Sequence, residues 1–166
     1  MNTGKMWRQR GFSLIELLIV VAIILIIAAI AIPNLLRSRI AANEASAVGS
    51  LRTYNVAQIT YVSTYPTVGF AAAFSALGPP ASGGVSSASA GLIDNVLGSG
   101  GTATSKSGYK FSLATTPAGT VNVGYSINAN PISSGATGNR YFYTDNSAVI
   151  RVNLTAAAGS ADSPLQ

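Results

Sequence analysis

From Phe12 to Ile32 the chain is apolar at every position except Ser13 and Glu16, and Leu17 to Ile32 is an uninterrupted run of 16 apolar residues. The 21 residues from Phe12 to Ile32 match the roughly 20 that an α-helix needs to cross the hydrocarbon core of a bilayer. A cleaved secretory signal has a shorter apolar core, about 7–15 residues, closed by a small-residue cleavage site. Here the run is longer, and Pro33-Asn34-Leu35-Leu36-Arg37 follows it. Past Pro33 the pattern changes but stays helical. Asn34 to Thr64 is rich in alanine, with Gly49 its only Gly or Pro. Leu51, Tyr54, Ile59 and Val62 fall near helical spacing and predict one apolar face. Tyr65-Pro66 ends the helix, because the residue before proline avoids the helical region. A single helix from Phe12 to about Thr64 would be roughly 80 Å long, apolar all round in its first half and amphipathic in its second.

Residues 66–108 are dominated by Gly, Ala, Ser and Pro, with Gly78-Pro79-Pro80 and Ser99-Gly100-Gly101 as punctuation, and read as a connecting loop. Short apolar clusters at Phe70 to Leu77 and Leu92 to Leu97 predict helical turns within it. The period then becomes two. Tyr109 to Leu113, Val121 to Ile127, Tyr141 to Thr144 and Ala148 to Val152 are alternating or rich in β-branched and aromatic residues, and predict strands. Asp145-Asn146-Ser147 suits a tight turn. The expected fold class is α+β, with a long N-terminal helical spine packed against a C-terminal antiparallel sheet of about four strands. By segment the reading is leader 1–11, apolar helix 12–33, amphipathic helix 34–65, loop 66–108, sheet 109–154 and a frayed tail 155–166.

Charge adds an orientation. Met1 to Gly11 carries Lys5, Arg8 and Arg10 and no acid. The positive-inside rule keeps that flank in the cytoplasm and sends the rest outward. The net charge is +5, but without those three cations seven basic and five acidic side chains remain. The basic character is thus mostly a targeting feature and gives no nucleic-acid footprint. No cysteine or histidine occurs, which removes disulfide staples and the commonest metal ligands, bases and nucleophiles. No enzyme, cofactor or metal is expected. Asp145 as a calcium ligand lacks a second acid nearby and is read as a turn-former. Tyr54, Tyr61 and Tyr65 lie at helical spacing and are read as packing against the sheet rather than as an electron-hopping stripe. Asn153-Leu154-Thr155 fits a glycosylation sequon, but is not read as one in a bacterial-type chain.

The stretch Arg10-Gly11-Phe12-Ser13-Leu14-Ile15-Glu16-Leu17-Leu18-Ile19-Val20-Val21-Ala22-Ile23-Ile24 resembles the N-terminal signature of type IV pilins and their pseudopilin relatives. The likeness extends over roughly Arg10 to Arg39. It implies that a prepilin peptidase cuts after Gly11 and that Phe12 becomes the N-methylated first residue. It also implies that Glu16 is the family's acidic docking residue and Pro33 its helix-kinking proline. Many members have a glycine where this chain has Leu25, so Pro33 is the only strong helix breaker of the segment. The implied partners are further copies of the chain in a helical homopolymer, the peptidase, an inner-membrane assembly machinery, and the bilayer before assembly. The implied location is the bacterial inner membrane for precursor and subunit pool, and a surface filament afterwards.

The chemistry of Glu16 stands beside the resemblance. A carboxylate in a membrane segment costs free energy and is usually kept for a partner. A Phe12 amine freed by cleavage would be a cation at a helix N-terminus, where the macrodipole disfavours it. Glu16, one turn along, offsets both charges, on its own or an adjacent subunit. Pairing with a neighbour would set subunit register; the alternatives are snorkelling or pairing with its own amine. The expected function is a pilin, major or minor, with a type II secretion pseudopilin as the alternative and a membrane-anchored binding module as a third reading.

Overall fold

The structure, a computed structural model, describes residues 11–165. It divides into two compact units, split between Arg37 and Ser38. The leader expected at residues 1–11, with Lys5, Arg8 and Arg10, lies outside the described residues except for Gly11. The longest element, α1, runs Leu14–Thr64 and contains Pro33. In the first unit every residue from Gly11 to Arg37 is exposed, except Ala28, which is half-buried.

The second unit is built on the outer part of α1. Two one-turn helices follow, α2 (Phe74–Leu77) and α3 (Asn95–Gly98). Five strands come next: β1 (Ala103–Lys106), β2 (Tyr109–Ala118), β3 (Val121–Pro131), β4 (Tyr141–Asp145) and β5 (Arg151–Asn153). They form one antiparallel sheet in sequence order. The α+β arrangement expected from the sequence is present, with a fifth strand. That strand, β1, lies in the expected loop. Its residues Ala103-Thr104-Ser105-Lys106 are small and polar, so periodicity gives no strand signal. A two-residue turn makes it, since Ser107 and Gly108 both have positive φ, 49° and 73°, the combination a tight hairpin requires.

The core joins α1 to the sheet through α2 and α3. Leu51, Tyr54, Phe74, Leu77, Phe111, Ile127 and Phe142 are all fully buried. Tyr54 stacks obliquely on Phe74 with ring centroids 4.5 Å apart and meets Phe111 edge-on at 5.7 Å. Tyr54 packs against the sheet at Phe111, as expected, while Tyr61 packs on Tyr65 with ring centroids 5.0 Å apart; their hydroxyls reach the segment between α1 and β1. The Tyr54 hydroxyl donates to the Leu97 carbonyl and the Tyr61 hydroxyl to the Ser87 carbonyl.

Two expectations are corrected. Of the expected face of α1, Leu51 and Tyr54 are fully buried, but Ile59 is exposed and Val62 only half-buried. The true face runs through Ile40, Glu44, Ala47, Leu51, Tyr54, Asn55, Gln58 and Tyr61. It includes three polar side chains that a hydrophobic pattern leaves out. The expected frayed tail is docked over its described residues, up to Leu165. The Val152 N–H donates to the Ser163 carbonyl, the Leu165 N–H to the Ile150 carbonyl, and Ala158 is buried. This short antiparallel pairing covers the edge of β5, and Pro164 within it offers no N–H to a further strand.

Candidate functional site

Two places hold chemistry: the start of α1 and the polar contacts that tie α1 to its own sheet. At the start, Ser13 stands one residue before the first helical position, Leu14. The Glu16 carboxylate accepts the Ser13 backbone N–H at 2.9 Å, and the Leu17 N–H donates to the Ser13 carbonyl at 3.2 Å. The carboxylate at the third helical position reaching back to the cap is half of a capping box. Ser13-Leu14-Ile15-Glu16 carries that signature in the sequence, and reading Glu16 only as a charge passes over it. The cap explains how the carboxylate is held at the N-terminal end of α1, where the helix dipole favours a negative charge.

Phe12 is 78% exposed and precedes the helix. Among the described residues a side chain on Gly11 would meet nothing within 4 Å. Among the described residues nothing covers the apolar stretch from Leu17 to Ile32. Gly11, Phe12 and Glu16 lie within six residues of one another at the start of α1. Pro33 lies apart from them, inside α1 with helical residues on both sides. Among the described residues one helix, α1, is long and apolar enough to cross a membrane.

Glu44 carries no site signal in the sequence, yet it is only 6% exposed. Its carboxylate meets Arg140 Nε at 2.7 Å and accepts the backbone N–H groups of Asn139 (2.8 Å) and Arg140 (3.2 Å). Gln58 exchanges both of its amide bonds with the backbone of Ala71 (3.1 and 2.8 Å), as a neighbouring strand would. Asn55 donates to Thr144 Oγ1 and accepts from the Tyr125 hydroxyl, both at 3.0 Å. Burial, and then the nearby Asp145 charge, push the Tyr125 hydroxyl up to about 12. These contacts hold side chains that are too polar to be buried unpaired.

Asp145 behaves as a turn-former. Its carboxylate accepts the Ser147 N–H (2.9 Å) and hydroxyl, and its carbonyl accepts the Ala148 N–H. Burial pushes that carboxyl up, but the Ser147 hydrogen bonds and the Arg151 charge outweigh it, and the net shift is down. Among the described residues no three Asp, Glu, His or Cys side chains gather where they could hold a metal ion. Asn153 of the sequon is engaged on both side-chain atoms. Its amide donates to Asp162 and its oxygen accepts from Thr155 and Ala156.

Residues 8–32 match the family model described as the prokaryotic N-terminal methylation motif. Over 56 residues the chain is 48% identical to the type IV major pilin protein PilA of Myxococcus xanthus, a stretch covering 34% of this chain and 26% of that one. Over 39 residues it is 62% identical to the type IV wide pilus major component PilA4 of Thermus thermophilus, covering 24% of this chain and 30% of that one. The chain thus spans less than a third of the length of either relative. No solved structure matches it.

Proposed function

We propose, on the premise of an N-terminal segment that belongs to the type IV pilin family, that this protein is a pilin, a structural subunit that polymerises into a surface filament. The observation that carries the reading is the bare apolar helix. Among the described residues nothing covers Leu17 to Ile32, and apolar surface of that extent is tolerated only in lipid or against other protein. In the bilayer it anchors the subunit. On leaving the bilayer it is buried against copies of itself.

The remaining roles follow from position. A prepilin peptidase cuts after Gly11 on the cytoplasmic side, and Phe12 is N-methylated. Glu16, already held at the helix start by the Ser13 N–H, meets the Phe12 amine of a neighbour and fixes subunit register. Pro33 cannot donate to the Ala29 carbonyl, so α1 kinks or loses helix locally, close to Pro33, in the filament. Both relatives named above are pilus components, which supports the pilin reading; a type II secretion pseudopilin is the alternative. The precursor and subunit pool reside in the inner membrane and the polymer outside the cell. The test is imaging of surface fibres before and after deletion of the gene, with the protein identified in sheared material. A soluble, full-length monomer in detergent-free extracts would contradict the proposal.

A further inference from the structure

The apolar part of α1 is bounded by a charge at each end. Between Glu16 and Arg37 lie the 20 residues from Leu17 to Leu36, none of them charged and all of them helical. At about 1.5 Å per residue they rise roughly 30 Å, the thickness of the hydrocarbon core of a bilayer. With Glu16 at the inner headgroups, Arg37 stands at the outer ones, and neither charge enters hydrocarbon. Arg39 follows two residues on.

Both arginines are exposed, and the fold does not use them. Ile40 is the first residue of α1 to be buried. The next acid along the chain, Glu44, is taken by Arg140 at 2.7 Å. Among the described residues the ion pairs are Lys106 with Asp94 and Arg140 with Glu44, so neither Arg37 nor Arg39 has an acidic partner. Two residues apart on a helix, they stand about 200° apart around its axis. That arrangement suits a layer of headgroups around the helix better than one small anion. Their position also runs against the charge rule for membrane segments, which concentrates Lys and Arg on the cytoplasmic side. Here cleavage after Gly11 removes Lys5, Arg8 and Arg10, and the outer flank becomes the cationic one.

We infer that Arg37 and Arg39 bind the anionic headgroups of phospholipid in the outer leaflet of the inner membrane and fix the depth of the processed subunit there. Cations beside a membrane segment are drawn to an anionic bilayer surface, over a range set by the Debye length. The arginine fork also matches phosphate oxygens in geometry. The inference rests on the membrane-anchored reading and adds the lipid chemistry that the anchored subunit selects.

The chain has no cysteine, so one introduced thiol reports one place. In processed protein carrying Ile32→Cys, a fluorophore on the thiol sits just inside Arg37. The protein is placed in nanodiscs of mixed phosphatidylcholine and phosphatidylglycerol, with one lipid or the other brominated in its chains. Brominated phosphatidylglycerol should quench the label more strongly than brominated phosphatidylcholine at equal mole fraction. The preference should be lost in an Arg37→Gln/Arg39→Gln background and at high salt. A label on Leu18→Cys, beside Glu16, should show none. Equal quenching by the two lipids at Ile32, or a preference that survives the double substitution, would overturn the inference while leaving the anchor intact. A preference of the same size at Leu18 would overturn it too. Protein that stays out of the discs would overturn the anchored reading, and this inference with it.

Discussion

Glu44 on α1 and Arg140, at the entrance to β4, meet at 2.7 Å across most of the folded unit's sequence. The carboxylate is nearly buried, the guanidinium is 40% exposed, and two backbone N–H groups share the same acceptor. Glu44→Ala removes all three partners at once. It should cost about 2–3 kcal/mol, below the full loss for a buried pair because Arg140 can turn to water. Glu44→Gln keeps an acceptor for the two N–H groups and should cost less. Urea unfolding of detergent-solubilised protein measures both, and an Ala variant as stable as wild type would contradict the assignment.

Alkaline pH should unfold this unit. Burial, first of all, raises the hydroxyls of Tyr54, Tyr109 and Tyr125, the last to about 12. In the unfolded chain they ionise near pH 10. Between those values the unfolded state releases protons that the folded state retains. Stability is therefore full below pH 10 and falls as pH rises toward 12. Tyrosinate absorbance and circular dichroism should change together in that window. Titration of all tyrosines near pH 10 with the fold intact would contradict the burial argument.

Much of this is legible in the sequence. The apolar run and the strands at Tyr109, Val121 and Tyr141 announce themselves because one period repeats over many residues. The face of α1 does not, because Glu44, Asn55 and Gln58 are buried through partners 13 to 96 residues away, and hydrophobic periodicity counts such residues as exposed. The strand β1 and the docked tail escape notice for a related reason. Their small polar residues take order from a hairpin turn and a sheet edge. The capping role of Glu16 is legible, in Ser13-Leu14-Ile15-Glu16, but a charge in an apolar run draws the reading toward assembly alone.

The mature chain should begin at Phe12. Mass spectrometry of assembled material should show a chain lacking 11 residues and carrying one extra methyl group at its N-terminus. Gly11→Val should block cutting. Since a side chain at Gly11 meets nothing within 4 Å among the described residues, that block would belong to the peptidase and not to misfolding, and the uncut variant should show wild-type unfolding behaviour. Intact Met1 to Gly11 in filaments would contradict the cleavage site.

The central claim is that the charge of Glu16 docks subunits, and its capping bond offers a way to separate charge from helix-start geometry. Glu16→Ala removes both the charge and the acceptor for the Ser13 N–H. Glu16→Gln removes the charge but keeps an acceptor that a capping box accommodates. Neither should harm insertion, since a costly charge leaves the bilayer, and cleavage should persist in both. The deciding quantity is the ratio of sheared filament to processed, membrane-held protein in wild type and the two variants. A sharp fall is expected in both, because each incoming Phe12 amine would enter an apolar core uncompensated. A Glu16→Gln ratio equal to wild type would contradict it and leave Glu16 as the cap of its own helix.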